Sequence, residues 1–407
     1  MRGDVMKNKL DAGWLSVALL LAACGGGGGG GSGSGGNLPS PTSGNSVTMT
    51  VDSGPSSAAG QINMPYVSVT VCAPGGANCQ VVDHVLVDTG STGLRVLASE
   101  LTPALLSSLG QQQVGGRDVA ECANFASGAT WGAVKLADIK LGGAVASATP
   151  FQLVSDPVYG NYANQYCTGS TSNMGSLLAL GAKGIIGVSQ ATSDSWGSYY
   201  LCAGVNSCQA QSVAGSVQVA NPVAALAGDN NGVLLQLPAV LPTGAPSAQG
   251  TLTFGVATQS NNAIPASAQV FSSPAGAGYT VSTSYTDTLG VARVGMSAFL
   301  DSGSNGLFFP DSGLAQCAGW YCPPSTRNLS ARIYSGGAAS TVAFAIGNSQ
   351  TQFASNNSAL PSLGGAASGV LSNQFDWGLP FFYGRSVFIG FDGRAIAGVG
   401  YGPVYIF

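Results

Sequence analysis

Two short segments of the chain share one pattern of residue types, and this repetition restricts the fold more than any other feature. VLVDTGSTGLRV begins at Val85, and AFLDSGSNGLFF begins at Ala298. The aligned pairs are Asp88 with Asp301, Thr89 with Ser302, Gly90 with Gly303, Ser91 with Ser304, Gly93 with Gly306 and Leu94 with Leu307. A single Asp-Thr-Gly-Ser is most often a turn or a helix cap. Two of them in equivalent apolar frames, 213 residues apart, are a specific signal.

Length and composition favour a large, mainly β protein. At 407 residues the chain is too long for one ordinary core, so two lobes or one large β structure are expected. The 61 glycines, the 20 prolines and a charged fraction of only 7% disfavour long surface helices and suit many short strands and turns. With a net charge of −4 and no basic run, the chain is not expected to bind nucleic acid.

The N-terminus has the pattern of an export signal. Lys7 and Lys9 precede an apolar run, Trp14 to Cys24, that is too short to span a bilayer as a helix. The end of this run, LAAC, resembles a bacterial lipobox, which implies that the signal peptide is removed and that Cys24 then carries lipid. An ordinary signal peptide with a chance cysteine is the alternative.

The segment after Cys24 cannot build a core. Residues 25–45 are rich in Gly, Ser and Pro and are predicted to form a flexible tether, following a lipoprotein signal peptide at 1–24. Because the residues after the cysteine are neutral, they provide no inner-membrane retention signal. The sequence therefore predicts a protein held on a membrane of the cell envelope, most simply the outer membrane, by an N-terminal lipid anchor.

The cysteines beyond residue 24 predict disulfides. An even number of them in an exported chain favours a disulfide framework over a metal site. Three pairs are close in sequence and leave one distant pair: the predicted bonds are Cys72 with Cys79, Cys202 with Cys208, Cys317 with Cys322, and Cys122 with Cys167. No CxxC spacing occurs and His84 is the only histidine, so neither a zinc cluster nor another cofactor is expected. A Ser-His-Asp mechanism would have to use His84 itself, for which a structural role is the simpler reading.

The paired Asp-Thr/Ser-Gly-Ser segments resemble the two catalytic loops of bilobal pepsin-like aspartic proteases. The resemblance implies an all-β architecture of two related lobes, residues 46–245 and 246–407, with an active cleft between them. It also implies an aspartic endopeptidase in which a water activated between Asp88 and Asp301 hydrolyses a peptide bond, without a metal or a covalent intermediate. A monomer acting on a peptide or protein substrate is expected.

The residue types in the two loops suit that chemistry. Two carboxylates that share a site hold one proton between them, so one acts as a base while the other, protonated, polarises a carbonyl. Glycines permit close approach of the loops, the hydroxyl residues next to the aspartates can bond to the opposite loop, and the following serines can donate to the carboxylates. These supporting residues are Thr89, Gly90, Ser91, Ser302, Gly303 and Ser304.

Other landmarks of the family follow in the expected order. KGIIGV, with Ile185-Ile186-Gly187, and the later Trp377-Gly378-Leu379 resemble the strands that thread behind each catalytic loop. GTLTFG, from Gly250, resembles the strand that opens the second lobe. Each of these alone would be an ordinary apolar strand.

The match weakens at the flap. NFASGATWGAVKLADIKLGG resembles the flap hairpin, but Phe125 stands where the family carries a tyrosine, and Arg95 stands where it carries the partner tryptophan. Trp131 either substitutes from the other flap strand or packs in the core. The missing hydrogen-bonded pair favours an alternative function, a catalytically silent pepsin-like lipoprotein that binds a peptide or an envelope partner in its cleft.

The complete layout carries a second resemblance. A lipobox, a glycine-rich tether and the double Asp-Thr/Ser-Gly-Ser motif, in this order, are similar to an uncharacterised family of Gram-negative lipoproteins known only as a domain of unknown function. This resemblance implies no activity.

Overall fold

The computed structural model describes residues 44–76, 78–159, 167, 172–205 and 207–407. The predicted signal peptide, the lipidation site at Cys24 and nearly all of the predicted tether lie outside these residues. Among the helices of the described ranges, none is long and apolar enough to cross a membrane.

Alternation of apolar and polar residues produces the strands. In Ser46–Val51, for example, Val47, Met49 and Val51 are buried while the residues between them are partly exposed, as expected when one face of a strand meets a core. The strands are β1 Ser46–Val51, β2 Pro65–Cys72, β3 Cys79–Asp88, β4 Thr92–Leu97, β5 Gly110–Gln111, β6 Gln113–Val114, β7 Arg117–Phe125, β8 Gly128–Leu141, β9 Ala144–Val154, β10 Gly184–Val188, β11 Ser198–Cys202, β12 Cys208–Ala210, β13 Gly232–Gln236, β14 Ala248–Phe254, β15 Val270–Ser272, β16 Val281–Thr286, β17 Ala292–Leu300, β18 Leu307–Phe309, β19 Gln316–Cys317, β20 Trp320–Tyr321, β21 Arg327–Ser335, β22 Ala338–Ile346, β23 Gly364–Ala366, β24 Gln374–Trp377, β25 Ser386–Gly390, β26 Ala395–Ile396, β27 Gly400–Tyr401 and β28 Val404–Ile406.

Helices are few and short. The α-helices are α1 Pro103–Ser108, α2 Leu177–Leu180 and α3 Ser349–Phe353. The 3₁₀ turns are Ser56–Ala58, Ala98–Glu100, Ser260–Asn262, Ala275–Ala277, Gly369–Leu371 and Leu379–Phe381. The predicted all-β class is therefore confirmed.

Most strands belong to two large sheets. The first contains β1–β15, β25 and β28, and the second contains β16–β24, with β26 and β27 forming a separate hairpin. Within the first sheet, β25 from the C-terminal part pairs with β13, and all six residues of β1 pair with β14. The predicted lobe boundary at 245/246 thus lies just before β14, in a sheet to which both halves of the chain contribute strands.

The two predicted threading strands occupy equivalent places in the two halves. β10 is parallel to β3 and antiparallel to β4, with Gly187 opposite Asp88. β24 is parallel to β17 and antiparallel to β18, with Trp377 opposite Leu300. Gly187 has to be glycine because a Cβ there would lie 2.7 Å from the backbone carbon of Ser91. Each half therefore holds its aspartate loop between three strands, which is the pepsin-like bilobal arrangement.

Four disulfides join the predicted partners. Three of them link cysteines five to seven residues apart, and the fourth, Cys122–Cys167, links the strand β7 to a residue 45 positions later. The predicted pairing is confirmed. Four disulfides are typical of a protein that folds in an oxidising compartment outside the cytosol.

Candidate active site

The aspartates of the two repeated motifs lie next to each other. Asp88 is the last residue of β3, and Asp301 directly follows β17. Each carboxyl lies against the glycine of the opposite loop. A Cβ on Gly90 would lie 2.6 Å from the Asp301 Cγ atom, and one on Gly303 would lie 2.6 Å from the Asp88 Oδ1 atom. Both loops therefore need glycine at this position for the carboxyls to meet.

A reciprocal set of hydrogen bonds locks the two loops together. The Thr89 hydroxyl donates to the Leu300 carbonyl (2.7 Å) and accepts from the Ser302 N–H (2.9 Å). The Ser302 hydroxyl donates to the Val87 carbonyl (2.7 Å) and accepts from the Thr89 N–H (3.1 Å). All four groups are buried, where a satisfied polar network is rigid and an unsatisfied one is costly. The relative position of the aspartates is thus fixed from both sides.

Each aspartate also accepts hydrogen bonds from its own loop. The Gly90 N–H donates to Asp88 Oδ1 (2.8 Å), and the Ser91 hydroxyl donates to Asp88 Oδ2. Correspondingly, the Gly303 N–H donates to Asp301 Oδ1 (2.8 Å), and the Ser304 hydroxyl donates to Asp301 Oδ2 (2.8 Å). Between them, the Asp88 and Asp301 carboxyls can then share one proton on the sides that face each other.

The electrostatics of the pair favour one proton on Asp301. Loss of solvation raises the pKa of Asp301 far above the usual carboxyl range, and the neighbouring Asp88 carboxylate raises it further. The Ser304 hydroxyl and the Gly303 N–H act in the opposite direction but do not offset burial. A pair in this condition contains one acid and one base over a wide pH range.

A cleft of 420 Å³ opens beside the Asp88 loop and is bordered by both halves of the chain. It is large enough for side chains of a peptide. Its lining residues are Thr89, Gly90, Ser91, Thr92, Arg95, Ala123, Asn124, Phe125, Ser189, Gln190, Asp194, Trp196, Gly197, Gly278, Tyr279, Thr280, Ser297, Phe299, Gln374 and Tyr405. Trp196 is 71% exposed there, so its ring is available to a ligand.

The position of the family's tryptophan is occupied by a buried ion cluster. Arg95 is buried on β4, and its guanidinium donates to the carboxylates of Glu121 (3.0 Å) and Asp194 and to the Thr92 carbonyl (2.7 Å). Burial alone would lower the pKa of Arg95, but Glu121 and Asp194 raise it overall. Burial raises the pKa of Glu121 to about 8 although Arg95 opposes this, because one cation serves two carboxyl groups. Sequence reasoning missed this cluster.

The flap consists of β7 and β8, and Phe125 at the end of β7 lines the cleft. The Arg95 guanidinium carbon lies 5.5 Å from the centre of the Phe125 ring, within the range of a cation–π contact. The two residues that replace the usual Trp–Tyr pair therefore also contact each other. Because Glu121 lies on β7, the Arg95–Glu121 ion pair attaches the flap to the body of the first half.

Trp131 does not take part in the cleft. Its side chain is 1% exposed, its ring packs edge-on against Tyr200, and it is absent from the lining residues. Of its two predicted roles, core packing is correct and flap function is wrong. The reason is that β8 is buried along most of its length on both faces, so Trp131 packs in a small core with Cys122, Tyr159 and Cys167 rather than lining the cleft.

The lone histidine is paired with carboxylates other than the two in the motifs. The His84 ring nitrogens lie 3.6 Å from Asp52 Oδ2 and 3.4 Å from Asp83 Oδ2. Pairing with Asp52 raises the pKa of His84, although partial burial opposes it. The geometry gives His84 a structural role in this ion-paired group.

One further carboxyl went unnoticed in the sequence. Asp376 lies on β24, one residue before the predicted threading segment, and it is 1% exposed. The sequence feature that could have identified it is an aspartate inside the apolar segment QFDWGLPFF, in a chain with only 17 acidic residues.

Together, two interlocked Asp-Thr/Ser-Gly-Ser loops, a flap and a cleft define an all-β bilobal protein of the pepsin-like class with an aspartate dyad. Residues 41–407 match the family model described as "Protein of unknown function (DUF3443)", and the chain belongs to this family. The resemblance to a family known only as a domain of unknown function is thereby confirmed. Among solved structures, the aspartic proteinase from Irpex lacteus is similar with 16% identity and a TM-score of 0.49, covering 89% of this chain and 96% of that chain. The search of curated protein sequences found no match.

Proposed function

We propose that this protein is an aspartic endopeptidase that hydrolyses peptide bonds with a water activated between Asp88 and Asp301. The observation that carries the proposal is the dyad itself: two adjoining carboxyls in loops locked together by the Thr89 and Ser302 hydroxyls. A protein that only binds peptides has no evident need to keep two like charges in one buried site, which is unfavourable.

One carboxyl of the coupled pair acts as the acid and the other as the base, and we take Asp301 as the acid and Asp88 as the base. Asp88 accepts a proton from the water as its oxygen attacks the carbonyl carbon of the substrate, and protonated Asp301 donates its proton to the carbonyl oxygen. The resulting tetrahedral diol then breaks its C–N bond: the proton held by Asp88 moves to the leaving nitrogen, and Asp301 takes back a proton from one diol hydroxyl as the new carboxyl group forms. Every proton taken up is released, so the dyad returns to its starting state.

The cleft favours an extended peptide with large apolar side chains. Phe125, Tyr279, Phe299 and the exposed Trp196 provide aromatic surface along it. We propose further that the protein is held on the outer membrane by lipid on Cys24, with the tether of residues 25–45 giving its cleft access to substrates. The exported state of the folded part is supported by its four disulfides.

A cleavage assay tests the proposed activity. Residues 38–407 are incubated with a denatured protein mixture between about pH 2 and pH 8, with and without pepstatin, and new termini are identified by mass spectrometry. Because Asp301 keeps its proton above the ordinary aspartate range, cleavage is expected in acid and also above about pH 5, where an isolated aspartate is ionised. Pepstatin should abolish it, and the heat-unfolded protein serves as the blank.

A folded protein that cleaves nothing at any of these pH values contradicts the proposal. That outcome would favour the second candidate, a silent peptide-binding lipoprotein, for which the specific observation is Phe125 in place of a hydrogen-bonding tyrosine. Fragments from the cleavage mixture that the inactive protein retains on a column would then identify its ligand class.

Gly303→Ala tests the close approach of the loops. The new Cβ would lie 2.6 Å from Asp88 Oδ1, so the loops must separate and the two carboxyls lose their shared proton. We expect kcat/KM to fall roughly a hundredfold, the size of effect that a displacement of about 1 Å in a catalytic group produces. Gly228→Ala is the matched control, since a Cβ there meets no atom within 4 Å. Equal activity of the two variants would show that the contact is unimportant.

A further inference from the structure

Trp196 is an exposed aromatic residue of the cleft that the dyad mechanism leaves without a role. It lies in the loop between β10 and β11 and lines the same cleft as residues 89–91, which follow Asp88. Trp196 is 71% exposed, whereas Trp131 and Trp377 are buried in cores. Tryptophan is highly buried on average, so an uncovered indole ring inside a cleft is a candidate contact for a ligand.

The backbone of this loop is fixed although the ring is uncovered. Asp194 Oδ1 accepts from the N–H groups of Trp196 (3.0 Å) and Gly197 (3.0 Å). The Asp194 N–H donates to the Val219 carbonyl (2.8 Å), and the Asp194 carbonyl accepts from the Tyr199 hydroxyl (2.9 Å). Hydrogen bonds from backbone N–H groups to a carboxylate are strong, so the base of the Trp196 side chain is held in place before a ligand arrives.

The buried ion cluster connects the same loop to the flap. Asp194 Oδ2 accepts from the Arg95 guanidinium, which also pairs with Glu121 of β7 (3.0 Å). The guanidinium carbon lies 5.5 Å from the centre of the Phe125 ring. A single cation therefore contacts the flap residue Phe125 directly and, through Asp194, fixes the loop that carries Trp196.

The lining of the cleft favours an aromatic side chain as its ligand. The aromatic residues in this lining are Phe125, Trp196, Tyr279, Phe299 and Tyr405. The charged residues of the lining are Arg95 and Asp194, and they pair with each other. The described lining thus offers a charged side chain no unmatched partner. Ring pairs in offset-stacked or edge-on contact gain more than the apolar area that they bury, which an aliphatic side chain cannot do.

We propose that Trp196 determines the specificity of the cleft by packing its ring against an aromatic side chain of an extended peptide, and that Asp194 positions its loop for this contact. The inference rests on the proposed function, because it names the class of peptide that the same cleft takes. Trp196 lies outside the two aspartate loops, so its contribution is to the binding of the substrate and not to the cleavage of the bond.

Peptide binding to the Asp301→Asn variant tests the inference without cleavage. The probes are octapeptides of Ala and Ser that carry one Phe, placed at each position in turn, and the same series with Leu. Tryptophan fluorescence is the readout, and Trp196 is the most exposed of the described tryptophans. We expect the best Phe peptide to move the emission maximum to shorter wavelength and to bind about three- to tenfold more tightly than its Leu counterpart.

Substitutions in the same Asp301→Asn background assign the effect to one ring. Trp196→Leu should remove both the preference for Phe and the emission shift, and Trp196→Phe should keep the preference. Tyr401→Leu is the matched control, because Tyr401 is 73% exposed but is not among the residues that line the cleft, and it should leave both Kd values unchanged. A preference for Phe that survives in Trp196→Leu overturns the proposal, as does a series in which no Phe peptide moves the emission.

The active protein separates this inference from the proposed function. We expect Trp196→Leu to lower kcat/KM for the best Phe peptide about three- to tenfold through KM, with kcat nearly unchanged, because uniform binding is lost. Binding of Phe peptides that depends on Trp196, in a protein that cleaves nothing, supports the inference while the proposed catalysis fails. Cleavage with the same ratio of Phe to Leu peptides in the wild type and in Trp196→Leu supports the proposed function and overturns the inference.

Discussion

Asp301→Asn is expected to reduce kcat/KM for peptide cleavage roughly 10³-fold, at every pH at which the wild type is active. Asparagine has nearly the same shape: its oxygen can still accept from the Gly303 N–H, and its amide can donate to the oxygen of the Ser304 hydroxyl, although both groups donate to Asp301 in the native loop. It cannot release a proton to the substrate carbonyl or share one with Asp88. The measurement is kcat/KM on a fluorogenic peptide designed from the cleavage sites of the wild type.

The Tm of Asp301→Asn shows whether its loss of activity comes from the missing proton or from unfolding. The substitution removes one of two like-charged groups from a desolvated site, so the Tm of Asp301→Asn should equal or exceed that of the wild type. Asp229→Asn, a carboxylate near the surface, should retain full activity. Retention of more than a tenth of wild-type activity by Asp301→Asn would show that the dyad is not the cleaving group.

The sequence predicts the dyad loops and the threading strands of the site, but not the side-chain contacts around the flap. The dyad loops were predictable because all their functional residues lie within contiguous segments that repeat. The hydroxyls of Thr89 and Ser302 bond across 213 positions, yet each is identified by its place next to an aspartate. The threading strands were found for the same reason, since a short apolar run before glycine is a local signal.

Side-chain environments at the flap could not be predicted in this way. Arg95 contacts Glu121 and Asp194, which are 26 and 99 positions away and carry no shared motif. Trp131 lies on a strand that is buried on both faces, so the two-residue period of a strand does not say which face meets the cleft. Asp376 was likewise hidden, because only tertiary structure shows that it is buried and close enough to Asp301 to be affected by its charge.

Arg95→Leu is expected to produce the largest loss of stability, about 3–5 kcal/mol in the free energy of unfolding at pH 7. The guanidinium is buried and is the cation that the Glu121 and Asp194 carboxylates share, so its removal leaves two buried acids facing each other. Urea denaturation with the disulfides intact measures the effect. Arg327→Leu, at an exposed arginine, should change the same free energy by less than about 0.5 kcal/mol.

The pH dependence of that loss follows from Glu121. Its pKa is raised to about 8 in the native protein, so the folded state keeps a proton that the unfolded chain releases above about pH 4.5. Stability associated with Glu121 therefore falls as the pH rises between these values. Without Arg95 that pKa rises further, so Arg95→Leu should be more harmful at pH 9, where Glu121 ionises in the native wild type, than at pH 7. Adding Glu121→Gln should recover part of the loss at pH 9, and the same deficit at both pH values, with no recovery, would show that Arg95 acts through packing alone.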